Sequence, residues 1–102
     1  MKPEQQNKTI AKHCGWKQST SDNWGGWWHK KGSRNYQRLH PNYRKDLNAM
    51  FNAESTLQHY GYYVDELASV MGVQRQSISV VGATAAQRAE AFLRTLNLWQ
   101  ES

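Results

Sequence analysis

The chain has one cysteine, two prolines and no apolar run approaching a membrane span in its 102 residues. A lone thiol, Cys14, excludes an internal disulfide framework and suits a reducing compartment. A spanning helix needs about 20 consecutive apolar residues, and the opening MKPEQQNKT lacks the apolar stretch of a secretory signal. A cytoplasmic protein with no membrane association is the expectation. Repeats, low-complexity tracts and interdomain linkers are also missing, so residues 1–102 read as a single domain with one modest core.

Catalytic and metal-binding patterns are equally scarce. The histidines at 13, 29, 40 and 59 and the single cysteine offer no zinc-type ligand pair, since adjacent His13 and Cys14 point to different sides of a helix. Gly25-Gly26 lacks the lysine and hydroxyl residue that complete a phosphate-binding loop. Asp65 and Glu66 are neighbours on a helix and diverge, which disfavours an acid and base pair. Cys14 lies on an apolar stripe and reads as a buried structural residue. The expectation is a protein without enzymatic activity, bound metal or cofactor.

Charge of one sign is missing where it matters most. Between Asn23 and Lys45 there is no acid, while Lys30, Lys31, Arg34, Arg38, Arg44 and Lys45 are all basic. The rest of the chain carries seven basic and eight acidic residues, so the whole net charge of +5 sits in this segment. The same stretch holds Trp24, Trp27, Trp28 and Tyr36. Rings beside cations can stack on unpaired bases while lysines and arginines neutralise phosphates. They are also the usual anchors of protein interfaces. A purely structural role is the competing reading, in which the tryptophans fill a sheet–helix interface and the cations project from the other side of each strand. Adjacent Trp27 and Trp28 argue for a split, because neighbouring strand residues face opposite ways.

Helix signals frame this segment. Pro3 to Cys14 reads as a first helix stopped by Gly15, and Trp16 to Thr20 as a short strand. Gly25-Gly26 then marks a tight turn or bulge in a hairpin, with Tyr36 to Leu39 as a further strand. Asn42 or Asp46 can cap a helix carrying Leu47, Met50 and Phe51. Ser55 and Gln58 form a capping-box pattern ahead of a stripe through Leu57, Tyr60, Gly61, Val64, Leu67, Ala68 and Met71, ended by Gly72. Ile78, Val80 and Val81 suggest a strand ending at Gly82. The most complete signal is Ala83 to Trp99, where Thr84 and Gln87 form a capping box. There Ala85, Ala89, Phe92, Leu93 and Leu96 share one face, with Gln87, Arg88, Glu90 and Arg94 facing water. Asn97 supplies a left-handed stop before an apolar clasp of Leu98 and Trp99.

Two segments, PNYRKDLNAMFNAESTL (Pro41 to Leu57) and ATAAQRAEAFLRTLNLW (Ala83 to Trp99), resemble the phage ABA sandwich domain family, and IAKHCGW (Ile10 to Trp16) is similar to its N-terminal motif. The resemblance implies an α+β fold with a small antiparallel or mixed sheet and helices packed on both faces. It also implies a phage origin, and with it the cytoplasm of a bacterial host, but no common activity. Segment 24–38 matches the family least, and function particular to this chain is expected there. The expected contact residues are Trp27, Trp28, Lys30, Lys31, Arg34, Tyr36 and Arg38. The expected partner is a host protein or protein–nucleic acid complex, with inhibition of a bacterial defence system as the outcome, as an anti-CRISPR protein would achieve. The alternative is direct single-stranded nucleic-acid binding through segment 24–45. Aromatic sheet edges leave monomer and homodimer both open.

Overall fold

The computed structural model describes residues 1–20, 25–33, 35–73 and 82–101. They form an α+β fold in the order α1 (Pro3–His13), β1 (Trp16–Gln18), β2 (Trp28–Lys30), α2 (Leu47–Glu54), α3 (Tyr60–Met71) and α4 (Ala85–Thr95). The two strands pair antiparallel. Helix α4 packs against α1, α2 and α3, most extensively against α3, while the sheet meets the helices chiefly through α1.

Helix α4 occupies the centre because its inner face is small and apolar. Ala85, Ala89, Ala91, Phe92 and Leu93 are all buried, and the alanines allow neighbouring helices to approach closely while Phe92 and Leu93 fill the remaining space. Its start is fixed reciprocally. The Gln87 amide donates to Thr84 Oγ1 at 3.1 Å, and the Thr84 amide donates to Gln87 Oε1 at 3.0 Å. Asn97 ends it with φ 57°. The chain then folds back through Leu98, whose amide donates to the Leu93 carbonyl at 2.8 Å, and Leu98 and Trp99 close over the core.

One expectation for α4 is overturned. Arg88, expected to face water, is 2 % exposed. Its Nη1 donates to both oxygens of buried Glu54, at 3.0 and 2.8 Å, and its Cζ stands 5.0 Å from the centre of the Phe51 ring. Arginine tolerates this position because a carboxylate neutralises it and its stem covers apolar surface. Removing either partner would leave an uncompensated buried charge. Tyr63, completely buried on α3, has its hydroxyl beside the same carboxylate.

A second correction concerns the entry to α3. Ser55 and Gln58 do not cap it. Ser55 Oγ donates to the Asn52 carbonyl at 2.6 Å and Thr56 Oγ1 to the Ala53 carbonyl at 2.7 Å, so both hydroxyls close α2. The helix begins at Tyr60, with His59 at the cap position and no side-chain cap bond. Its buried residues are Tyr63, Leu67 and Ala68, with Tyr60 on the exposed side. In the first turn of the helix burial has therefore rotated away from the stripe that began at Leu57, with Tyr63 inside and Tyr60 and Gly61 exposed, while Leu67 and Ala68 keep to it. Gly72, at φ 72°, ends the helix as expected.

The cap of α2 is Asp46, whose Oδ1 accepts from the amides of Asn48 and Ala49 at 3.0 and 3.2 Å. The turn before it is tied to α1 by Asn7. Asn7 Nδ2 donates to Asn42 Oδ1, and the Arg44 amide donates to Asn7 Oδ1, both at 3.0 Å. Beneath that turn Tyr43 is buried. Ile78, Val80 and Val81, expected to form a strand, lie outside the described residues.

Phe92→Ala should cost about 3–5 kcal/mol in urea unfolding as a core truncation; a loss below about 1 kcal/mol would show that α4 does not pack in this way. Burial, reinforced for Tyr63 by Glu54, pushes the phenols of Tyr43 and Tyr63 up from their ordinary value. The folded chain then holds protons that the unfolded chain releases, so the stability these groups contribute is complete below about pH 10 and lost as pH rises beyond it. Melting temperature should therefore fall above about pH 10, and less steeply in Tyr63→Phe. An identical slope in that variant would contradict the assignment.

Candidate contact face on the hairpin

Gly15, at φ 96°, ends α1 and turns the chain into β1, and its carbonyl accepts from the Lys31 amide at 2.9 Å. The register sets Trp16 opposite Lys30, Lys17 opposite His29 and Gln18 opposite Trp28. Toward the turn, the Ser19 amide donates to the Trp27 carbonyl at 2.7 Å, and Gly26, at φ 87°, carries the return. The expected strand over Tyr36 to Leu39 is reduced to a single antiparallel bridge, Trp28 with Gln37, closed by reciprocal amide–carbonyl bonds of 2.7 and 2.8 Å.

This pairing sorts the side chains, because successive residues alternate between faces. On the inner face, Trp28 is 3 % exposed and meets His40 edge-on at 4.8 Å, while Trp16 is half-buried against the core. Trp28 therefore does not offer its ring to a partner as the sequence suggested. The outer face carries two cross-strand rows. In one, Lys17 stands opposite His29, and His29 lies 4.9 Å from Tyr36 at 56° between ring planes. In the other, the Arg38 guanidinium lies 5.6 Å from the centre of the half-buried Trp27 ring.

Trp27, Tyr36 and Arg38 are thus brought onto one face, with exposed Lys31 just beyond the end of β2, whereas Lys30, exposed but paired with Trp16, falls on the same side of the strand as Trp28. Arg34 lies outside the described residues. Lys17 and His29 were missed, and only the register reveals them. Lys17 precedes the basic segment in sequence, and its place becomes visible once Gln18 is set opposite Trp28. No carboxylate occurs among the described residues from Trp16 to Lys45, so the described part of the face carries charge of one sign.

Cys14 is half-buried below the hairpin. Burial pushes its thiol up, an effect partly offset by the Tyr43 hydrogen bond and the Lys30 charge. A protonated thiol is a poor nucleophile, consistent with a packing role. Among the described residues no three histidine, cysteine or acidic side chains gather where they could hold a metal, and no helix is long and apolar enough to cross a membrane.

The two neighbouring tryptophans should respond differently to truncation. Trp28→Ala should cost about 3–5 kcal/mol, as for other buried aromatics, whereas Trp27→Ala should cost about 1 kcal/mol or less, in line with substitutions away from the core. Equal losses in urea unfolding would place both rings in the same environment. No family model, curated protein or solved structure matches this chain, and the chemistry of the face is the basis for reading it.

Proposed function

We propose that the protein acts by binding rather than catalysis, through the outer face of the hairpin, and that its partner is an acidic surface on a host protein or protein–nucleic acid complex. The observation that carries this reading is the cross-strand grouping of Lys17, His29, Tyr36, Trp27 and Arg38, with Lys31 just beyond the end of β2 and no described carboxylate among them. Arginine and aromatic side chains in contact are the residues around which protein interfaces concentrate their energy, and a single sign of charge speeds encounter with an acidic partner. Resemblance to phage ABA sandwich proteins is the ground for taking a bacterial complex as the target; inhibition of a defence system is the proposed consequence of docking.

Direct single-strand binding is the weaker reading. Stacking needs open ring faces, yet Trp28 is buried, Trp27 sits under Arg38 and Tyr36 leans on His29. The two readings also differ in salt response. Three phosphate contacts from Lys17, Lys31 and Arg38 would lose roughly 20-fold in affinity between about 50 and 200 mM salt, whereas an interface centred on packed rings loses less.

Tagged protein and its Lys17→Glu/Arg38→Glu variant should be compared in capture from a bacterial lysate, with and without nuclease. The wild type should retain a protein band after nuclease treatment and the variant should lose it. Their melting temperatures should agree closely, because exposed charges contribute little to stability. A band that vanishes with nuclease would favour the nucleic-acid reading, and equal capture by the variant would remove the hairpin face from the account.

A further inference from the structure

Away from the hairpin, the α2–α3 corner leaves apolar area uncovered. Leu47, Phe51 and Tyr60 are 41, 49 and 47 % exposed, and with Leu57 they wall a groove of about 610 Å3 whose floor includes Glu54 and Arg88. That volume lies within the roughly 300–1,000 Å3 of small-molecule sites, and apolar walls around a few fixed polar groups are their usual composition.

The floor defines what fits. An ionised carboxylate is an acceptor only, with about four lone-pair sites, and Arg88 Nη1 takes one on each Glu54 oxygen. Because the same ion pair is nine-tenths buried, its geometry is fixed before a ligand arrives, which lowers the cost of ordering it. The charged groups in the lining are Glu54 and Arg88, already paired with each other, so the groove offers no unpaired cation to an anionic ligand and suits a neutral one. Phe51 and Tyr60 supply aromatic walls that favour a flat ring.

We propose that this groove binds a small aromatic molecule bearing one N–H donor, its ring against Phe51 and Tyr60 and its N–H on the Glu54 carboxylate. The site is independent of the hairpin face and of any partner bound there.

Titration of the isotope-labelled protein with indole, followed by amide NMR, tests it directly. Saturable shifts should map to residues 47–60 with a Kd below about 1 mM, a level small ligands reach in such sites. On the same wild-type protein, 1-methylindole keeps the ring and lacks the donor, and should bind at least about tenfold more weakly, as expected when a buried acceptor goes unmet. Phe51→Ala, truncating a half-exposed ring, should weaken indole binding while the dispersed spectrum shows the fold intact. Absence of saturation, shifts mapping elsewhere, or equal affinity for the two indoles would each overturn the proposal.

Discussion

The register of β1 against β2 is the constraint on which the proposed function depends. Setting Gln18 opposite Trp28 buries one of two adjacent tryptophans and turns the other outward, and a slip of one residue would exchange every side chain between the two faces. The register is held from both sides. Trp28 is seated against His40 and bonded to Gln37 through both backbone groups, and the Gly15 carbonyl pins the far end through Lys31. Burying a large indole makes the alternative costly, since the slipped arrangement would place His29 inside and Trp28 in water.

The hairpin in turn is supported by the helices, which it meets chiefly through α1. Helix α4 lies among the other three, and its contents are of two kinds. The alanine, phenylalanine and leucine face gives close packing, which is tolerant of the exact partner. The Arg88–Glu54 pair gives direction, because a buried charge pair is satisfied in few arrangements. Such pairs contribute little net stability over apolar residues of the same size. Its effect here is to join α2 to α4 at one relative position and, in doing so, to hold Phe51 over the guanidinium and leave an apolar groove above. Packing and site formation at that corner therefore share a cause. The sheet joins this body through α1, where Asn7 fastens the 42–44 turn and Gly15 starts the hairpin.

The helical termini were legible in the sequence because their signals are local. Thr84 with Gln87, Asn97, Gly72 and Gly15 each act through backbone geometry that depends on a few neighbouring residues, and the structure places all of them as expected. Burial was less legible. Arg88 sits at a polar step of a well-formed amphipathic pattern, and nothing in α4 alone reveals that Glu54, 34 residues earlier, waits to receive it. The Ser55 and Gln58 pattern misled for a related reason: a serine after a helix can bond backward to the carbonyl three residues before it as readily as forward to an amide. On the proposed contact face, composition located Trp27, Tyr36 and Arg38, but Lys17 and His29 join them through strand pairing, a non-local property that a list of charges does not contain.

The sorting of the tryptophans can be read without any knowledge of a partner. Side-chain nuclear Overhauser contacts should link the Trp28 ring to the His40 ring and the Trp27 ring to the Arg38 side chain, as their separations of 4.8 and 5.6 Å require. Contacts joining Trp27 to His40 instead would mean that the strands are paired one residue out of register, with the cationic and aromatic face turned inward.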